Sequence, residues 1–156
     1  MARSARPARP ALAVAATAAG ALLLGACAPI TTQLPYAPSD GSRVDFEDLD
    51  VRGLNLLLIS PEEGAEGNVL GALANNTSEE VEFVLTVSGA APLTFVVPAE
   101  ETAYLGTDGV ETLVDSVATI PGGTLEATLS VDGSSEEFFI PVFDATLPEY
   151  AEYVPS

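Results

Sequence analysis

Beyond residue 43 the chain alternates between apolar and polar positions. Val81, Phe83, Leu85 and Val87 are interleaved with Glu82, Val84, Thr86 and Ser88, and Leu125, Ala127, Leu129 and Val131 with Glu126, Thr128, Ser130 and Asp132. A period of two sends successive side chains to opposite faces of an extended strand, so the first set of each segment is predicted to be buried. Leu93, Phe95 and Val97 repeat the period before Pro98. Residues 54–59, apolar except at Asn55, are consistent with a central strand, and residues 68–75 read as a strand of small side chains. Turn chemistry separates these runs at residues 61–64, 75–77, 89–92, 121–123 and 132–133. The last, Asp132-Gly133, is a strong hairpin signal and is predicted to join strands near 124–131 and 135–143. Residues 111–118 fit either a helical turn or another strand. Roughly six to eight short strands with no convincing helix predict an all-β domain, an antiparallel immunoglobulin-like β-sandwich over residues 43–147. It would lack the disulfide and tryptophan of antibody domains, since the chain has one Cys and no Trp.

The first residues follow a different pattern. Arg3, Arg6 and Arg9 precede an uncharged run of Ala, Leu and Val at residues 11–24, and Gly25-Ala26 lead to Cys27, the single cysteine. That run is shorter than the roughly 20 residues a spanning helix needs, and the layout is that of an export signal. No adjacent Arg pair is present, which favours the general secretory route. Leu24-Gly25-Ala26-Cys27 resembles the lipobox of bacterial lipoproteins; the alternative is an ordinary signal peptide with an incidental Cys. The resemblance implies a diacylglyceryl group on the Cys27 sulfur, cleavage just before it, and acylation of the new N-terminus by a fatty acid such as palmitate. The expected organisation is a helical signal peptide at 1–26, then the lipidated Cys27 and a flexible tether at 27–42. The sandwich at 43–147 and a C-terminal tail at 148–156 follow. Residues 28–42 carry three Pro and no apolar period, which suits a tether.

Charge narrows the partners. Three of the five Arg precede Cys27, there is no Lys, and all 23 acidic residues follow the cysteine. Two Arg against 23 acids leave the processed chain at −21. Such a chain is repelled by nucleic acid and by anionic headgroups, so attachment is expected to come from acyl chains alone. The absence of Lys and abundance of Ala, Gly and Val suit a high-GC genome.

Beyond the lipobox, the segments QLPYAPSDG (33–41), VRGLNLLLIS (51–60) and GNVLGALANNT (67–77) make the chain resemble the small cell-envelope lipoproteins of actinobacteria. The resemblance spans nearly the whole chain on short, mostly structural motifs. It implies an Ig-like β-sandwich on the outer face of the cell membrane and little about mechanism. Some comparable envelope sandwiches are copper chaperones with His and Met ligands. Here there is no His, and the one Met is Met1 in the signal, so the soft donors copper(I) needs are missing.

The same inventory removes most catalysis. Without His, Lys or a free thiol the chain cannot build Ser-His-Asp, Cys-His, Ser-Lys or Schiff-base machinery or His/Cys zinc sites. Carboxylate chemistry of the glycosidase kind survives, but with no Trp and a domain barely large enough for its own core the chain is expected to be no enzyme and to need no cofactor. Calcium takes oxygen ligands, and Asp45, Glu47, Asp48 and Asp50 crowd four carboxylates into one segment. Their spacing is not that of an EF-hand loop and reads better as a solvated acidic loop. Asn75 and Asn76 open two overlapping sequons but are read as turn chemistry. Tyr36 in the tether and Leu147, Tyr150 and Tyr153 in the tail are the candidate docking residues. Tyrosine gives large contact area with few rotatable bonds, and this strip either closes the domain's own sheet or engages a partner. Two functions follow: a lipid-anchored, non-catalytic interaction or accessory module with an envelope protein partner, or a solute- or Ca²⁺-binding envelope lipoprotein.

Overall fold

A computed structural model describes residues 39–107, 110 and 112–155, so the signal segment, Cys27 and Tyr36 lie outside the described residues. Strands dominate: β1 (Ser42–Phe46), β2 (Val51–Ile59), β3 (Gly67–Asn75), β4 (Val81–Val87), β5 (Leu93–Val97), β6 (Thr102–Leu105), β7 (Leu113–Val114), β8 (Thr124–Val131) and β9 (Ser134–Phe143). Short 3₁₀ helices follow β1 (Glu47–Leu49) and β9 (Pro148–Tyr153). The all-β expectation holds. The ambiguous stretch near residue 113 is a strand, β7, paired with the start of β3.

The strands run β5-β4-β8-β9-β2-β3-β6 in one hydrogen-bonded series, with β1 on β2 and β7 on β3. Each ladder is antiparallel except one: the end of β9 lies parallel to β2, pairing Val142 with Leu58 and Phe143 with Ile59. The sheet is therefore mixed, which corrects the purely antiparallel expectation. The reason is that β9 outlasts β8: Pro141 is its last residue paired with β8, opposite Thr124, where β8 begins. Val142 then meets only the turn before β8, exchanging hydrogen bonds with Gly122 and Gly123, while Val142 and Phe143 run alongside β2.

The Asp132-Gly133 hairpin forms as expected. Both residues have positive φ (48° and 82°), as a two-residue turn matching strand twist requires. The turn at Asn75 is built more tightly than its sequence suggests. Asn75 is buried; its Nδ2 is directed at the carbonyls of Glu79, Val97 and Pro98, and its Oδ1 accepts from the Thr77 N–H and hydroxyl. One side chain thus ties the β3–β4 turn to the end of β5.

The alternation buries what it was predicted to bury. Phe83, Leu85 and Leu129 join Leu56, Leu58, Leu73 and Ile140 in one core drawn from all parts of the sheet. In β2 the pattern changes phase at Asn55. The register with β3 slips between Leu54 and Leu57, where Asn55 adopts φ 52°. Opposite stands Gly71 at φ 133°, where a Cβ would come within 2.8 Å of the Leu54 and Asn55 carbonyl oxygens. This bulge switches the core-facing positions from Val51 and Gly53 to Leu56 and Leu58. It leaves Leu57 and Ile59 on the other face, where they form a second cluster with Leu70 and Tyr150.

Candidate functional site

The tail takes one of the two roles open to it. Pro148 starts a 3₁₀ helix, where its fixed φ and missing N–H cost nothing. That helix lays Tyr150 over Leu57, Ile59 and Leu70, with its ring centroid 5.5 Å from that of Phe143. The Tyr150 hydroxyl donates to the Asp40 carboxylate at 2.6 Å, and Asn68 Nδ2 donates to the Tyr153 carbonyl at 2.7 Å. Burial, then the Asp40 hydrogen bond and negative charge, push the Tyr150 pKa up to about 12. Tyr150 therefore closes the domain's own sheet. Tyr153 is half-buried beside the same cluster, and Leu147 stays exposed. The docking strip is split by the fold. The stretch from Asp40 onward belongs to the fold as well, since the Gly41 N–H donates to Asn55 Oδ1 at 2.7 Å.

The acidic segment is not convergent. Arg43 Nε lies 2.6 Å from Asp45, and the hydrogen bond holds that carboxyl below its usual range. Arg52 lies 3.6 Å from Asp50, whose carboxylate also accepts from Asn76. Glu47 and Asp48 stand exposed on the 3₁₀ turn between them. Among the described residues no three Asp, Glu or Cys side chains come together as ion ligands would. Arg43 and Arg52, the arginines among the described residues, are both engaged here.

A third locus was not singled out by sequence. On the outer face of β4, β8 and β9 a shallow groove of ≈ 620 Å³ is lined by Thr86, Ser88, Glu126, Thr128, Glu137 and Phe139. Register builds it in two rows. Thr86 pairs with Thr128 and Thr128 with Glu137; Glu126 pairs with Phe139, and the Ser88 N–H donates to the Glu126 carbonyl at 2.9 Å. Phe139 is 63% exposed although it sits in the middle of a long, regularly paired strand. Its own carbonyl accepts from the Ser42 hydroxyl, which ties its backbone to the neighbouring strand. The polar face of β8 was legible from its alternation. Phe139 was not, because Phe138-Phe139-Ile140 is apolar throughout and only pairing with β8 decides which ring faces out.

The chemistry on offer is recognition. The groove combines acceptor-only carboxylates, hydroxyls and one aromatic face on a rigid support. Among the described residues no helix is long and apolar enough to cross a membrane. No protein-family model matches this chain, and no curated protein matches it either.

Proposed function

We propose that this protein is a lipid-anchored, non-catalytic interaction module of the cell envelope, held on the outer face of the cell membrane through Cys27. On this reading it is one of the small actinobacterial envelope lipoproteins, and its domain is an Ig-like sandwich. The layers would be β5-β4-β8-β9 and β2-β3-β6, a division supported by the single core between them. The observation that carries the reading is Phe139, a large apolar ring left exposed on a paired, well-supported sheet rather than on a loose arm. Exposed aromatic rings on rigid supports are what interfaces use as anchors. The tether and the negative charge fit a domain that stands off a surface and is repelled by anionic polymers. A solute- or Ca²⁺-binding role draws less support, because Asp45 and Asp50 are already paired with Arg43 and Arg52.

The test is photo-crosslinking in intact membranes. A benzophenone amino acid is placed in turn at the exposed positions Phe139, Tyr104 and Ile120 of the full chain. An envelope protein captured reproducibly from at least one position is the expected result. No adduct from any of them would end the interaction-module reading.

A further inference from the structure

We infer that the β4-β8-β9 groove binds an extended segment of a partner protein carrying basic residues at alternate positions. This rests on the interaction-module reading and adds the chemistry of the partner. Three observations on the same face point to a cation. Glu126 stands directly opposite Phe139, and Glu137 lies two residues before Phe139 on the same face of β9, so two carboxylates flank one exposed ring. The π-face of that ring is itself negative and attracts a guanidinium or ammonium group laid over it. Among the described residues no positive side chain answers these carboxylates, because Arg43 and Arg52 are engaged at Asp45 and Asp50.

The hydrogen-bonding inventory agrees. Ionised Glu126 and Glu137 only accept, so the face needs a ligand rich in donors, and Arg and Lys only donate. Anionic polymers and phosphate headgroups meet repulsion here. A neutral glycan would satisfy the hydroxyls but would leave two carboxylates unanswered. Geometry sets the spacing. The Glu126–Phe139 and Thr128–Glu137 rows are two residues apart along paired strands, which is about 6.5–7 Å. Side chains at i and i+2 of an extended peptide have the same separation, so one basic residue meets each row.

The experiment is a titration of the ¹⁵N-labelled full chain in detergent micelles, followed by amide NMR. The probes are a short peptide alternating Arg and Val, the same peptide with Glu for Arg, and a neutral N-acetylglucosamine oligomer. The Arg–Val peptide is expected to bind, with shifts centred on Thr86, Glu126, Thr128 and Phe139, and the other two probes are expected not to. Phe139→Ser and the double variant Glu126→Gln/Glu137→Gln should each weaken binding roughly tenfold. Glu47→Gln/Asp48→Asn makes the same charge change elsewhere and should alter it by no more than about twofold. Equal losses in the two double variants would reduce the effect to net charge and overturn the inference. So would shifts centred elsewhere, oligosaccharide binding on this face, or no binding. Crosslinks from Tyr104 or Ile120 without Arg–Val binding would sink this inference and leave the interaction module standing; no crosslink from any position would sink both.

Discussion

The Tyr150 hydroxyl donates a 2.6 Å hydrogen bond to Asp40, joining two residues 110 positions apart at opposite ends of the folded domain. The contact matters because Asp40 lies near the end of the stretch read as a tether (27–42) and Tyr150 belongs to the stretch read as a tail. Through it, the start of the described residues is fastened to the last element of the fold. Tyr150→Ala removes both the hydroxyl and the ring packed on Leu57, Ile59 and Leu70, and should cost about 3 kcal/mol or more. Tyr150→Phe keeps the ring and should cost about 1 kcal/mol, since Asp40 is solvent-exposed. Urea denaturation separates the two; equal losses would mean that ring packing contributes nothing.

The burial of Tyr150, with the same bond second, gives a pH signature. The Tyr150 pKa is raised from the ordinary value of 10.0 to about 12 in the folded state. A raised folded-state pKa contributes stability that is complete below the unfolded value and is lost as pH climbs through the folded one. Stability should therefore fall between about pH 10 and 12 more steeply in the parent than in Tyr150→Phe. Parallel alkaline profiles for the two proteins would show that Tyr150 is not linked to unfolding.

The core offers a direct check of the period-two pattern. Phe83 and Leu129 have no exposed surface, so truncating either to Ala should cost about 2–5 kcal/mol. Thr128, next to Leu129 and on the groove side, should cost well under 1 kcal/mol, roughly, as Thr128→Ala. Thermal or chemical melts showing similar losses at all three positions would contradict the burial described for β8.

The acidic segment should behave as solvated charge. With Asp45 and Asp50 held by arginines, millimolar calcium should raise the melting temperature no more than matched magnesium does. A calcium-selective rise abolished by Asp48→Asn would restore the ion-binding alternative.

The anchor is tested by cell fractionation. If the Cys27 sulfur is the attachment point, as proposed, Cys27→Ala should leave the precursor uncleaved or release the domain to the medium. A variant that partitions into detergent as the parent does would refute lipidation at Cys27.

How much was legible in the sequence depends on how local the physics is. Strands β4, β5 and β8 and the Asp132-Gly133 hairpin could be read because a two-residue period and a positive-φ turn are set by neighbouring residues. The excluded chemistries were legible too, since no fold can supply a His or Lys that the chain lacks. The phase change in β2 was only hinted at by Asn55, the one polar residue of 54–59, because a single polar side chain in a strand also fits a solvent-facing position and the bulge shows only against its partner strand. The parallel β9–β2 ladder, the burial of Tyr150 and the exposure of Phe139 rather than Phe138 belong to the tertiary structure alone. Each turns on contacts between residues far apart in the chain, where sequence supplies apolar side chains but only the closing of the sheet decides which are covered.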